Sequence, residues 1–172
     1  MKTKRITNVQ SGFSLVELLL YMAILSVFLI ILTGIFTSAL DVQLESESSS
    51  SEEQDGNYIL AKLNYDVHRA KNISIPSSVG GSGSTLKILV DGIDYIYSID
   101  ANSNLILVND LGTNSLNSYD SSVSSFLVWR LGNIGGIEDA LKISYTIASR
   151  TKRTSGSETP RSFQTTLSLR RQ

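Results

Sequence analysis

The 172-residue chain has no cysteine, one histidine, two prolines and one tryptophan. Without cysteine there is no disulfide framework and no thiolate metal site. With His68 as the single imidazole there is no zinc signature, and a histidine-based triad would hang on that one residue. No serine, threonine or acid is paired with a second base in the pattern an anchored hydrolase needs. The net charge of −1 hides an asymmetry. Residues 1–12 carry Lys2, Lys4 and Arg5 and no acid, Asp41 to Gly56 holds six acids and no base, and Arg150 to Gln172 holds six bases and one acid, Glu158.

What is present is a long apolar run. From Leu18 to Leu40 there are 23 residues without a charge. As a helix they cover roughly 35 Å, enough for a hydrocarbon core of about 30 Å. Seventeen of the 28 residues from Phe13 to Leu40 are Leu, Ile, Val or Phe. At roughly −0.3 to −0.6 kcal/mol each they favour insertion by on the order of 5 to 10 kcal/mol. Glu17 opposes this by less than the about 2.5–3.5 kcal/mol of a mid-membrane acid, because it lies near one end. Insertion wins. A secretory signal peptide fits worse, since its apolar core runs only about 7–15 residues. Bases before the run and acids after it place the N-terminus in the cytoplasm and the bulk of the chain outside.

The acidic stretch Asp41 to Gly56 reads as either a solvated helix or a flexible tether. Helical periodicity returns with Ile59, Leu60, Leu63, Val67 and Ala70, three and four apart. On the polar side Lys62 can pair with Asp66, and Asp66 with Arg69. The helix is expected to end near Asn72, before Pro76. Ser77 to Ser84 reads as a flexible connection. Thr85 to Val90 and Ile93 to Ile99 alternate about Asp91-Gly92, a type I′ hairpin signal. A turn at Ala101 to Ser103 leads into Leu105 to Val108, and Asn109 to Ser122 reads as an exposed loop. Val123 to Leu131, Ala140 to Ser149 and Ser162 to Arg170 follow as strands, the last two forming a hairpin around Arg150 to Arg161. Six strand runs after one helix predict an α+β fold, an antiparallel sheet packed on the amphipathic half of a long helix.

Other motifs have plain explanations. Gly132-Asn133-Ile134-Gly135-Gly136 opens no helical pattern and reads as a turn rather than a phosphate cradle. Asp91 and Asp94 straddle a hairpin turn and lack the spacing of a calcium loop. Trp129, Tyr95, Tyr97, Tyr119 and Tyr145 sit in or near strands, where core packing and sheet faces are the default uses.

The run Gly12-Phe13-Ser14-Leu15-Val16-Glu17-Leu18 resembles the processing site of type IV prepilins and pseudopilins. The resemblance implies cleavage between Gly12 and Phe13 by a membrane prepilin peptidase, N-methylation of Phe13, and a role for Glu17 in pairing with the N-terminal amine of a neighbouring subunit. It implies a leader at 1–12, a transmembrane and assembly helix at 13–40, its continuation at 41–76 and a sheet-bearing head at 77–172. The implied partners are the peptidase and methylase, other pilins or pseudopilins, an inner-membrane assembly platform and membrane lipid, with no cofactor. The implied location is the cytoplasmic membrane, crossed once, and then a filament.

The order of the later parts is similar to the J-type minor pseudopilins of type II secretion and related minor pilins. It rests on Leu60-Ala61-Lys62-Leu63-Asn64-Tyr65-Asp66-Val67-His68-Arg69-Ala70 and on a final hairpin of Leu141 to Ile147 with Phe163 to Leu169. Two departures favour a minor subunit. Gly34 stands where many major pilins carry a helix-bending proline, and no C-terminal disulfide or calcium loop is visible. The alternative is a competence-type minor pilin or surface module that contacts DNA phosphates through Arg150, Lys152, Arg153, Arg161, Arg170 and Arg171. Only Phe163 is interleaved with these bases, which gives little for base stacking.

Overall fold

The computed structural model describes residues 14–132, 139–150 and 160–169. Its one α-helix among them, α1, spans Leu15–Arg69. The Leu18 amide donates to the Ser14 carbonyl at 3.1 Å, so Ser14 stands at the N-cap. Glu17 is then the third helical residue, the Ser-x-x-Glu spacing suited to a helix start. The chain divides into two compact units, Met1–Val42 and Gln43–Gln172. In the first, every residue from Leu18 to Leu40 is exposed. An 18-residue window there reaches a mean hydropathy of 2.7. Among the described residues α1 is the one helix long and apolar enough to cross a membrane.

The second unit holds the rest of α1 and nine described strands: β1 (Ala70–Ile75), β2 (Ser82–Gly83), β3 (Leu86–Val90), β4 (Ile93–Ile99), β5 (Leu105–Asn109), β6 (Gly112–Ser115), β7 (Ser121–Gly132), β8 (Asp139–Ser149) and β9 (Arg161–Ser168). They form two antiparallel sheets, in the orders β1-β3-β4-β5-β6 and β2-β7-β8-β9. The architecture is α+β, as the patterning predicts, with two sheets in place of one. Alternation sets the inward faces: Leu86, Ile88 and Val90 on β3, and Leu141, Ile143, Tyr145 and Ile147 on β8. On β7 the inward residues Val123 and Phe126 are three apart, because a register shift between Val123 and Ser125 resets the face. Ile59, Leu63 and Val67 of α1 are fully buried in the same core.

Asp41 to Gly56 is helical throughout. Its inward face is polar or small: Ser48, Glu52 and Gly56, four apart, are buried. The Ser149 amide donates to Glu52 Oε1 at 2.8 Å. Asp55 Oδ2 accepts from the Ser118 amide at 2.9 Å and from the hydroxyls of Ser118 and Ser121. At Gly56 the sheet comes so close that a Cβ would lie 2.1 Å from Phe163 Cζ. The Tyr145 hydroxyl donates to the Gly56 carbonyl at 2.7 Å, and Tyr145 stacks on Phe163 with centroids 5.4 Å apart. These contacts, not apolar periodicity, fasten this part of the helix.

Several expectations are corrected. The helix stops at Arg69, not near Asn72, because Ala70 pairs with Val90 and the β-branched Ile73 and Ile75 continue the ladder on β3. Ser77 to Ser84 is no free connection: Gly80 N donates to Arg130 O at 2.8 Å, Arg130 N to Gly81 O at 2.9 Å, and β2 pairs with β7. Arg130 also donates to the carbonyls of Ile73, Pro76 and Ser77. Asn109 to Ser122 is not one exposed loop; it contains β6 and the buried Leu116, Asn117 and Ser121. Asn117 sits there as a staple, accepting from Leu105 N and donating to the carbonyls of Ser118 and Ser121. Leu60 is half-buried rather than a full member of the apolar stripe. Asp91-Gly92 is a type I′ turn as expected, with φ of 53° and 88°.

Replacing Gly56 by Ala isolates the close approach. Helix propensity alone favours alanine by about 1 kcal/mol, yet Phe163, stacked on Tyr145, has little room to step aside. Gly56→Ala is expected to lower stability by about 1–3 kcal/mol. In a Phe163→Ala background the sign reverses. Thermal unfolding of the full chain in detergent reads both; an unchanged midpoint in Gly56→Ala would show that the ring yields.

Candidate processing and assembly site

Between Leu15 and Leu40 the apolar helix carries one charged group, Glu17. Between Ser14 and Leu40 Glu17 alone is half-exposed, the rest being exposed. It lies in the first turn of α1, where the positive end of the helix dipole favours an anion. One turn on, the Tyr21 hydroxyl donates to Glu17 Oε1 at 3.1 Å. Other hydroxyls of the segment turn inward on their own helix: Ser26 donates to Met22 O, Thr33 to Leu29 O and Thr37 to Gly34 O. Gly12 and Phe13, the residues of the expected cleavage, lie outside the described residues. Tyr21 is the side chain the sequence reading missed, although its four-residue spacing from Glu17 is a visible signal.

Several ionisable residues of the second unit hold the fold. Asp66 is buried on α1, where Tyr97 donates to Oδ2 and Lys62 Nζ lies 3.0 Å away. The expected Asp66–Arg69 pair is absent from this arrangement. Arg69 binds Asp91 across the turn of the β3–β4 hairpin and lies over the Tyr65 ring at 4.9 Å. Geometry explains the swap: Asp66 points into the core with Val67, whereas Arg69 is half-buried at the helix end. Asp94 pairs with Lys87 at 2.8 Å, which accounts for the second acid of that hairpin. His68 is exposed. Among the described residues no group of three His, Cys, Asp or Glu side chains could hold a metal ion.

The aromatic residues divide. Tyr97 and Tyr145 are fully buried, Trp129 is half-buried beside Lys142, and Tyr95 is half-buried. Tyr119 corrects the expectation of packing, being 89% exposed. Of the six basic residues considered for DNA, Arg150 donates to the carbonyls of Ser121 at 2.7 Å and Asn102 at 2.6 Å and to Asn104 Oδ1 at 2.8 Å. Arg161 reaches Glu53 Oε2 at 3.3 Å, Ser49 Oγ at 2.7 Å and Glu52 Oε2 at 3.8 Å. Arg150 thus bonds to loops of the sheets and Arg161 to the helix at Ser49–Glu53. Lys152, Arg153, Arg170 and Arg171 lie outside the described residues, as do Asn133 to Gly136 of the glycine-rich run.

Residues 7–33 match the prokaryotic N-terminal methylation motif. No curated protein and no solved structure matches the chain. The motif is the type IV pilin-like one, which implies processing by prepilin peptidase and assembly with other pilins. It indicates a structural protein rather than an enzyme, and with the apolar helix it fits an anchor in the inner membrane. The match ends at residue 33, inside the first compact unit, and does not reach the second.

Three groups in the head make stability depend on pH. The amide of Asn104, with its side chain and the Asn102 amide, holds the Asp100 carboxyl below its usual range. A depressed folded value means that this stabilisation is present above about pH 4 and is lost on acidification. Burial, and for Tyr97 the bond to Asp66, pushes the Tyr97 and Tyr145 phenols up. A raised folded value means stability present below about pH 10 and lost above it. Unfolding midpoints measured across pH are expected to fall at both ends. Asp100→Ala should flatten the acid limb and Tyr97→Phe the alkaline limb; unchanged limbs would sink both assignments.

Proposed function

We propose that the protein is a minor pilin or pseudopilin, made as a precursor, trimmed between Gly12 and Phe13, methylated on Phe13 and built into a type IV pilus or a type II secretion pseudopilus, with a structural or priming role. In this reading 1–12 is the leader, 13–40 the membrane and assembly helix, 41–76 its continuation and 77–172 the head. The observation that carries it is the methylation motif over residues 7–33, running without a break into an exposed apolar helix with Glu17 in its first turn. The α+β head beyond that helix suits such a subunit.

Trimming creates an amine in an apolar setting, and Glu17 is the acid that can offset it. A carboxylate left alone in hydrocarbon is costly, and a paired one is tolerated. In the membrane the apolar helix stores the subunit; in the filament the same surface packs against other such helices. The motive energy comes from elsewhere, since no nucleotide-binding pattern is evident in the sequence. The J-type assignment rests on the resemblance in sequence pattern over Leu60 to Ala70 and the final hairpin. DNA contact through the basic C-terminal residues gains no support from Arg150 and Arg161, which already bond to acceptors of the second unit.

Intact mass and N-terminal sequencing of the protein from its own cells are expected to show loss of the first 12 residues and gain of one methyl group. Gly12→Asp should abolish the trimming. Glu17→Gln should leave trimming intact and reduce co-purification with other pilin-like subunits by at least tenfold, as expected for a lost buried charge pair. A native protein that works with residues 1–12 still attached would overturn the proposal.

A further inference from the structure

We propose that Tyr21 is a positioning residue for Glu17: its phenol grips one carboxylate oxygen so that the other is presented, in a fixed rotamer, to an incoming amine. The inference rests on the reading of Glu17 as the assembly acid. Glu17 and Tyr21 are the only titratable side chains between Leu15 and Leu40. Within Met1–Val42, among the described residues, α1 is the one element, and residues 18–40 are uncovered. A glutamate there has three free torsions, so its direction has to come from its own helix.

The helix offers few donors. Ser26, Thr33 and Thr37 are short side chains already bonded to carbonyls three or four residues back. Tyr21 has the reach they lack, and it stands one turn C-terminal to Glu17, on the same face. Its hydroxyl contacts Oε1 at 3.1 Å, and the bond with Oε2 is left to another donor. A carboxylate accepts through both oxygens, so the phenol and an ammonium can bind together rather than compete. The amphipathic ring, apolar in body and polar at the tip, suits a site near the membrane interface.

Tyr21→Phe removes the hydroxyl and keeps the ring, the helix and the apolar surface. Infrared difference spectra of the full chain in lipid nanodiscs, taken against Glu17→Gln, isolate the Glu17 carboxylate band. Tyr21→Phe is expected to shift that band and to lower co-purification with partner subunits about threefold to tenfold, the worth of one such bond. In a Glu17→Gln background the same substitution is expected to have no further effect. An unmoved band, full recovery of partners by Tyr21→Phe, or an equal loss in the Glu17→Gln background would each overturn the inference. Normal assembly of Glu17→Gln itself would instead overturn the assembly reading, with the band still reporting on Tyr21.

Discussion

An α-helix satisfies its own backbone, and this self-sufficiency lets one element serve two surroundings. Along α1 the amides and carbonyls bond within the helix whether the side chains are leucines without cover or serines and glutamates against a sheet. The backbone never has to change when the medium does. The change is left to the side chains, and it occurs near Val42, where the first compact unit ends. Before it the helix is apolar on all sides; after it the helix has an inside and an outside.

The inside of the second part is built mainly from specific bonds at its start and from apolar packing at its end. Glu52 accepts a sheet amide, Asp55 gathers the Ser118–Ser121 turn, and Gly56 lets Phe163 and Tyr145 close on the helix. From Ile59 onward the burial of Ile59, Leu63 and Val67 takes over. Polar fasteners of this kind lose their value when one partner is removed, because the other is left desolvated. Arg130 and Arg150 do comparable work at the loops, each guanidinium collecting several carbonyls from segments far apart in sequence.

That explains which expectations held and which did not. The stripe Ile59, Leu63, Val67 was legible because apolar spacing writes a helix face directly, and Asp91-Gly92 because a type I′ turn demands its residues. The paths of 77–84 and 109–122 were not legible. Serine, glycine and asparagine there look like solvent-exposed loop, and only pairing with Arg130, Trp129 and Leu105 shows otherwise. The acidic stretch was ambiguous for the same reason: Ser48, Glu52 and Gly56 bury a face with no apolar signature. In the apolar segment Glu17 stood out as a charge in an oily run, whereas Tyr21, four residues on, carried no separate signal.

By itself the sequence determined that there is a membrane-length apolar segment with an acid near its start, a methylation-type motif around it, and a helix followed by strands. Those features follow from composition and spacing over short stretches, which local physics can read. Only the tertiary structure decided that the strands divide into two sheets, that Asp66 answers Tyr97 while Arg69 answers Asp91, and that the exposed basic side chains Arg150 and Arg161 bond to acceptors of the same chain. Such choices depend on which distant residues meet, and no local preference of the chain carries that information.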